Sequence, residues 1–231
     1  MIDIRRLAFI GGGNMAAALV GGLTKRGLPG ERIVVADPSA LQLQRLVRDY
    51  GVRCAADNAG AVAGAEVVIL AVKPQQMRAV ALALSPHLAV SKPLLISVAA
   101  GIPHAALARW FGAQIPVVRT MPNRPALNGF GATGLYAPAG VGAANRALAE
   151  SIMAAVSATV WVEHESQMDT VTALSGSGPP TFSCSWKRSR PPRMSVACPT
   201  RLPISSPWRR RLGPHRWRAS RPNRLLHCVS R

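Results

Sequence analysis

"FIGGGNMA", residues 9–16, decides the fold. Four apolar residues, Leu7–Ile10, run straight into it. Behind it "NMAAALVGGLTKR" carries Met15, Leu19, Val20 and Leu23 at helical spacing until Gly27–Pro29 ends the pattern. Gly11, Gly13 and Ala16 therefore hold the G-x-G-x-x-G/A spacing between a strand and a helix, the context that turns a weak glycine pattern into a dinucleotide-loop expectation. Gly11 permits the tight turn, Gly13 lets backbone approach a pyrophosphate, and small Ala16 lets helix and strand pack closely. The amides opening the helix, with Asn14 and Met15 among them, would meet phosphate oxygens at its positive end.

Outward from this loop, Ile33–Ala36 reads as a second strand ending at Asp37. An acid there holds the adenosine ribose hydroxyls in many dinucleotide folds, and Ser39 beside it is a phosphate partner. The alternative is that "DPS" caps the next helix, Asp37 or Ser39 supplying the oxygen. Val67–Val72, Leu94–Val98 and Pro116–Thr120 are further strands separated by helical segments, and "ATGLYA" and "ATVWVE" flank the helical "GAANRALAESIMAAV". This alternation predicts an α/β fold, a Rossmann-like domain with a mostly parallel sheet. Its expected bounds are residues 1–165, with the start of a linker helix and hinge over 166–179 and a basic tail over 180–231.

Composition divides the chain in the same place. The formal charge of +18 suggests nucleic acid until it is apportioned: residues 1–179 hold 15 Lys and Arg against all 10 acids, whereas residues 180–231 hold 13 Lys and Arg and no acid. No apolar run approaches the roughly 18 residues of a membrane span, and the start is too short in apolar residues for a signal peptide. Only Cys54 lies in the body. Cys184, Cys198 and Cys228 have neither metal-ligand nor disulfide-framework spacing, so no metal is expected and the setting reads as reducing and cytoplasmic.

"GGGNMA", "AVKPQ", "SVAAGI", "RTMPNRPALNGFGATGL" and "VTALSGSGP" stand in the order and spacing of one family. Over residues 6–179 the chain resembles pyrroline-5-carboxylate reductase, which makes proline. The resemblance implies hydride transfer from NADPH or NADH to the C=N carbon of 1-pyrroline-5-carboxylate, the protein mainly aligning substrate and cofactor. It implies that Asn58, Ala71, Val72, Lys73 and Pro74 line the cofactor, as do Ala100, Gly101 and Asn123 after later strands. Taken alone, Lys73 is also readable as a solvated lysine and Asn123 as a turn residue ahead of Pro125. Arg124 stands where the family has threonine. Ser175, Gly176, Ser177 and Gly178 match the family hinge, whose amide and hydroxyl donors would meet the substrate carboxylate. No catalytic residue is named, since His87, His104 and His164 show no partner pattern and read as surface or cap residues.

From Pro179 the periodicity stops, and nine of the chain's 19 prolines fall between Pro179 and Pro222. The family continues with a helical carboxyl-terminal dimerisation domain carrying a Ser-Pro-Gly-Gly loop; here that domain reads as absent or scrambled, and Ser205–Ser206–Pro207 is followed by Trp208. Codon degeneracy supplies a reason. "PPTFSCSWKRSR", residues 179–190, can be encoded so that a start two bases later reads Ala-Tyr-Phe-Phe-Leu-Leu-Val-Glu-Ala-Leu-Glu, as the family has it. The expectation is a lost base near the Pro179 codon, leaving an out-of-frame, disordered tail, an impaired enzyme and no dimer surface. The rival expectation is a Rossmann body whose tail binds nucleic acid, with 13 cations interleaved with Trp186, Trp208 and Trp217. It ranks lower because the same residues contain the hidden frame.

Overall fold

A computed structural model describes residues 4–173, all within the first of the chain's two units, Met1–Ser189. The hinge Ser175, Gly176, Ser177 and Gly178, and the tail 180–231, lie outside the described residues.

Eight strands form one sheet in the order β3-β2-β1-β4-β5-β6-β7-β8. They are β1 (Leu7–Ile10), β2 (Ile33–Ala36), β3 (Arg53–Cys54), β4 (Val67–Leu70), β5 (Leu94–Ser97), β6 (Val117–Pro122), β7 (Gly131–Tyr136) and β8 (Ser157–Trp161). All neighbours pair in parallel except β6 and β7, so the mostly parallel α/β sheet expected from the sequence is present. Every residue of β1, β2, β4 and β5 is buried. Strands covered by helices on both faces need apolar residues at consecutive positions rather than alternating ones, and "LAFI", "IVVA" and "VVIL" are such runs.

Two helix layers supply the cover. Leu7, Phe9, Ile33 and Val35 face one core with α1 (Asn14–Lys25), α2 (Ala40–Tyr50) and α6 (Ala143–Met153). Ala8, Ile10, Val34 and Ala36 face the other with α3 (Asn58–Val62), α4 (Pro74–Leu88) and α5 (His104–Phe111). A short helix, α7 (Gln167–Val171), follows β8 where the sequence suggests the start of a linker helix. No helix among the described residues is long and apolar enough to cross a membrane.

Two short elements escape the sequence reading. β3 has two residues, both exposed, and α3 has five, so neither is long enough to show a period. Strand ends also move: β4 stops at Leu70, releasing Ala71 and Val72 into the loop, and β6 continues to Pro122.

One ionic clamp secures the sheet's far side. Glu165, after β8, places Oε1 2.8 Å from Nη1 of Arg119 in β6, and the same oxygen accepts the backbone N–H of His104 at 2.5 Å. Arg119 is buried, so its charge depends on this partner. The clamp thereby holds the amino end of α5 at His104, three residues after the Ala100–Gly101 turn. His104 is more enclosed than a surface or cap residue: its ring stands edge-on to Tyr136 at 6.3 Å, and burial pushes its pKa below the ordinary value despite the opposing pull of Glu165. His87 and His164 are exposed, as expected. Replacing Glu165 by Ala should lower unfolding free energy by about 2 kcal/mol, below the range for a fully buried pair because the carboxylate is partly solvated. Urea denaturation of both proteins measures the difference, and an unchanged midpoint would remove the clamp from the account.

Candidate functional site

The site begins with a rung. Ala36 pairs with Ile10, Ile10 with Leu70, and Leu70 with Ser97, so β2, β1, β4 and β5 finish level with one another. At about 4.8 Å between strands, the four ends span roughly 14 Å. The glycine loop, Asp37, the Ala71–Pro74 segment and the Val98–Gly101 turn all leave the sheet from this line, the carboxyl edge where open parallel sheets take their ligands.

Gly11 locks the loops together. Its amide donates to Ala36 O at 2.8 Å, and Ala71 N donates to Ile10 O at 2.8 Å, carrying the ladder one step beyond the strands. Its φ is +99°, and a Cβ there would lie 2.6 Å from Ala71 O. Glycine is thus required twice over, by conformation and by contact. Gly13 is the opposite case: a Cβ on it would meet nothing within 4 Å. Gly13 is the N-cap of α1, which has neither a side-chain cap nor an acid in its first turn. The amides of Asn14 and Met15, which open the helix beside this space, have no side-chain cap, a cradle suited to an anionic diphosphate. Ala16 is fully buried, as close packing of helix on strand demands.

Of the two residues offered as the α2 cap, Ser39 does the capping and Asp37 braces the glycine loop instead. Its Oδ2 accepts the N–H of Gly12 at 2.7 Å and its Oδ1 accepts that of Ser39 at 2.7 Å, so the carboxylate buttresses the glycine loop from the end of β2. Capping of α2 falls to Ser39, which accepts from Gln42 N at 3.5 Å. Each Asp37 oxygen retains a lone pair for a ribose hydroxyl.

The remaining candidates gather at the same edge. Asn58 opens α3 after Asp57 caps it. Lys73 is the N-cap of α4 and exposed, with Pro74 at the first helical position where its missing N–H costs nothing. Ala100 and Gly101 form an exposed turn, Gly101 at φ +74°. Asn123 follows β6 and is buried; its Oδ1 accepts the N–H of Ala132 at 2.9 Å, pinning the Arg124–Asn128 turn to β7. That bond is the ordered-turn role the sequence leaves open. The structure brings these candidates to one edge, with the hinge outside the described residues. No group of three or more metal-ligating side chains occurs among the described residues.

Arg119 and Glu165 are residues that sequence reasoning missed, because an arginine inside "VVRTMP" and an acid in a loop give no pairing signal at a separation of 46 positions.

A single, mostly parallel sheet with helices on both faces, and a glycine turn at the first strand end, define a Rossmann-like α/β domain. A model of the family described as NADP oxidoreductase, coenzyme F420-dependent, matches residues 6–101. Pyrroline-5-carboxylate reductase of Pseudomonas aeruginosa is 50% identical over 177 residues, covering 77% of this chain and 64% of the relative. That of Haemophilus influenzae is 46% identical over 178 residues, covering 76% and 64%. The solved pyrroline-5-carboxylate reductase of Coxiella burnetii superposes with a TM-score of 0.77 at 39% identity, covering 80% of this chain and 68% of that one. The Plasmodium falciparum enzyme, solved with NADP bound, gives 0.70 at 26% identity, covering 81% and 68%. The chain belongs to the pyrroline-5-carboxylate reductase family, and it spans 64% of the length of the first two relatives.

Replacing Gly11 by Ala should destabilise the fold by about 2 kcal/mol or more, since it combines a strained φ with a backbone clash. Gly13→Ala should fold as wild type. Paired thermal unfolding curves test the contrast; equal losses at both positions would refute it.

Proposed function

We propose that this chain carries the coenzyme half of a pyrroline-5-carboxylate reductase. It would bind NADPH or NADH with the diphosphate on the α1 amides beside Gly11 and Gly13. The observation that carries this reading is the open space at Gly13 facing an uncapped helix start, beside a Gly11 already used to seat the Ala71 loop. Asp37 and Ser39 then lie where the adenosine ribose would be held, with Asn58 and the Ala71–Pro74 segment along the cofactor. Ala100, Gly101 and Asn123 stand toward the nicotinamide end, at the exit of β5 and β6. The solved Plasmodium relative with NADP bound supports the choice of cofactor.

The reduced nicotinamide supplies the hydride, and the small-molecule imine, protonated to an iminium near neutral pH, accepts it at the C=N carbon to give proline. The chain's own contribution is orientation: backbone amides fix the diphosphate, Asp37 holds the glycine loop rigid, and the Glu165 clamp holds α5 behind the Ala100 turn. No side chain is assigned as general acid. The setting is cytoplasmic and a reducing one, in keeping with biosynthetic relatives.

The same reading extends to the residues beyond the described ones. Residues 180–231 are an out-of-frame translation of the helical domain, so the hinge donors Ser175, Gly176, Ser177 and Gly178 stand without the substrate loop and dimer surface that accompany them in the family. What supports this is the neighbouring frame of residues 179–190, whose forced features, a glutamate beneath Trp186–Lys187 and an apolar run beneath Phe182–Trp186, match the missing helix.

Purified chain given NADPH and 1-pyrroline-5-carboxylate should oxidise the coenzyme far more slowly than a full-length family member assayed beside it. Restoring one base near codon 179 should recover activity. Wild-type turnover at the full-length rate would contradict the impairment, and an intact locus with no helical domain in the neighbouring frame would contradict its cause.

A further inference from the structure

A cavity, about 240 Å³ in volume, opens on the α3 side of the sheet and is lined by Arg6, Val34, Arg53, Cys54, Ala55, Ala56 and Gly60. None of the proposed cofactor residues lines it. Strand parity explains its chemistry. Arg6 lies two residues before Ala8, which faces the α3 layer, and Arg53 pairs with Val34, which faces the same way. Two guanidinium groups are thereby sent to one side of the sheet at its β3 edge, where the strand is only two residues long and leaves room.

No acid lines this cavity. Asp57, the nearest in sequence, spends Oδ1 on the N–H of Gly60 at 2.7 Å as the cap of α3. Glu66 is engaged by Arg5 at 2.6 Å. Arg6 donates from Nη2 to Gly60 O at 3.2 Å, while its Nε is buried with no partner. The Arg53 guanidinium has no ion-pair or hydrogen-bond partner among the described residues. Burial pushes the Cys54 thiol up, which keeps it neutral near pH 7 and adds no negative charge. A buried, unpaired guanidinium N–H is costly, and like charges held near one another repel.

We propose that this cavity is a binding site for a phosphate-class oxyanion, held between Arg6 and Arg53 and separate from the coenzyme site. Planar guanidinium groups match tetrahedral oxyanions through paired N–H donors, and an anion there would satisfy the Arg6 Nε–H. The volume equals the liquid share of about eight waters, enough for a phosphate together with a small attached group.

The test is calorimetric titration of inorganic phosphate, at constant ionic strength, into the full chain presaturated with NADPH. Presaturation covers the glycine loop, and comparison with variants cancels binding by the basic tail. Wild type should bind saturably, and Arg53→Gln, an exposed edge position, should weaken phosphate at least tenfold with NADPH affinity unchanged. Arg6→Gln should do the same wherever its circular dichroism matches wild type. A parallel titration with glycerol 3-phosphate separates the sources: tighter binding than inorganic phosphate identifies a phosphorylated metabolite, equal binding identifies free phosphate. Wild type without saturable heat, or an Arg53→Gln chain that binds phosphate as wild type does, overturns the proposal.

Discussion

The architecture of the site depends on one contact, the approach of Gly11 to the carbonyl of Ala71. Two hydrogen bonds of 2.8 Å, Gly11 N to Ala36 O and Ala71 N to Ile10 O, continue the sheet ladder one residue past its strands. The glycine loop is therefore a rigid extension of β1 and not a mobile turn. Because Ala71 is anchored by the same step, the amino end of α4 is set relative to that of α1. A side chain at position 11 would have to displace backbone, which flexible neighbours cannot accommodate.

Around this contact, charge is placed to complete what the backbone begins. Asp37 accepts from the loop at Gly12 and leaves the α1 amides without an internal acceptor. Farther along the edge, Glu165 neutralises buried Arg119 and takes the first amide of α5. One carboxylate thus braces the diphosphate cradle and another braces the turn toward the nicotinamide end. On the α3 face, near the entry to β1, Arg6 and Arg53 have no such partner, which is the physical difference between a structural cation and one awaiting an anion.

Much of this was legible from residues alone. Uninterrupted apolar runs of four gave the central strands, because burial on both faces removes the alternation that would otherwise confuse them with surface segments. The role of Gly11 was readable from spacing; that of Gly12, packed against Asp37 and Leu46, was not, since only tertiary contact separates one glycine of three. β3 and α3 were invisible because two and five residues carry no period. The Asp37 brace and the Arg119–Glu165 pair were hidden for another reason: each joins groups distant in sequence, at 25 and 46 positions, and composition holds no record of such pairings. Asn123 is also a turn residue, its carboxamide oxygen accepting the N–H of Ala132, a pairing the residues alone did not show.

The central claim is that the α1 amides beside Gly13 hold a nicotinamide coenzyme's diphosphate. Calorimetric titration of NADPH into monodisperse, folded chain tests it most directly. The account predicts saturable binding at one site per chain, with displacement by pyrophosphate; a folded sample that takes up no coenzyme at saturating concentration would contradict it.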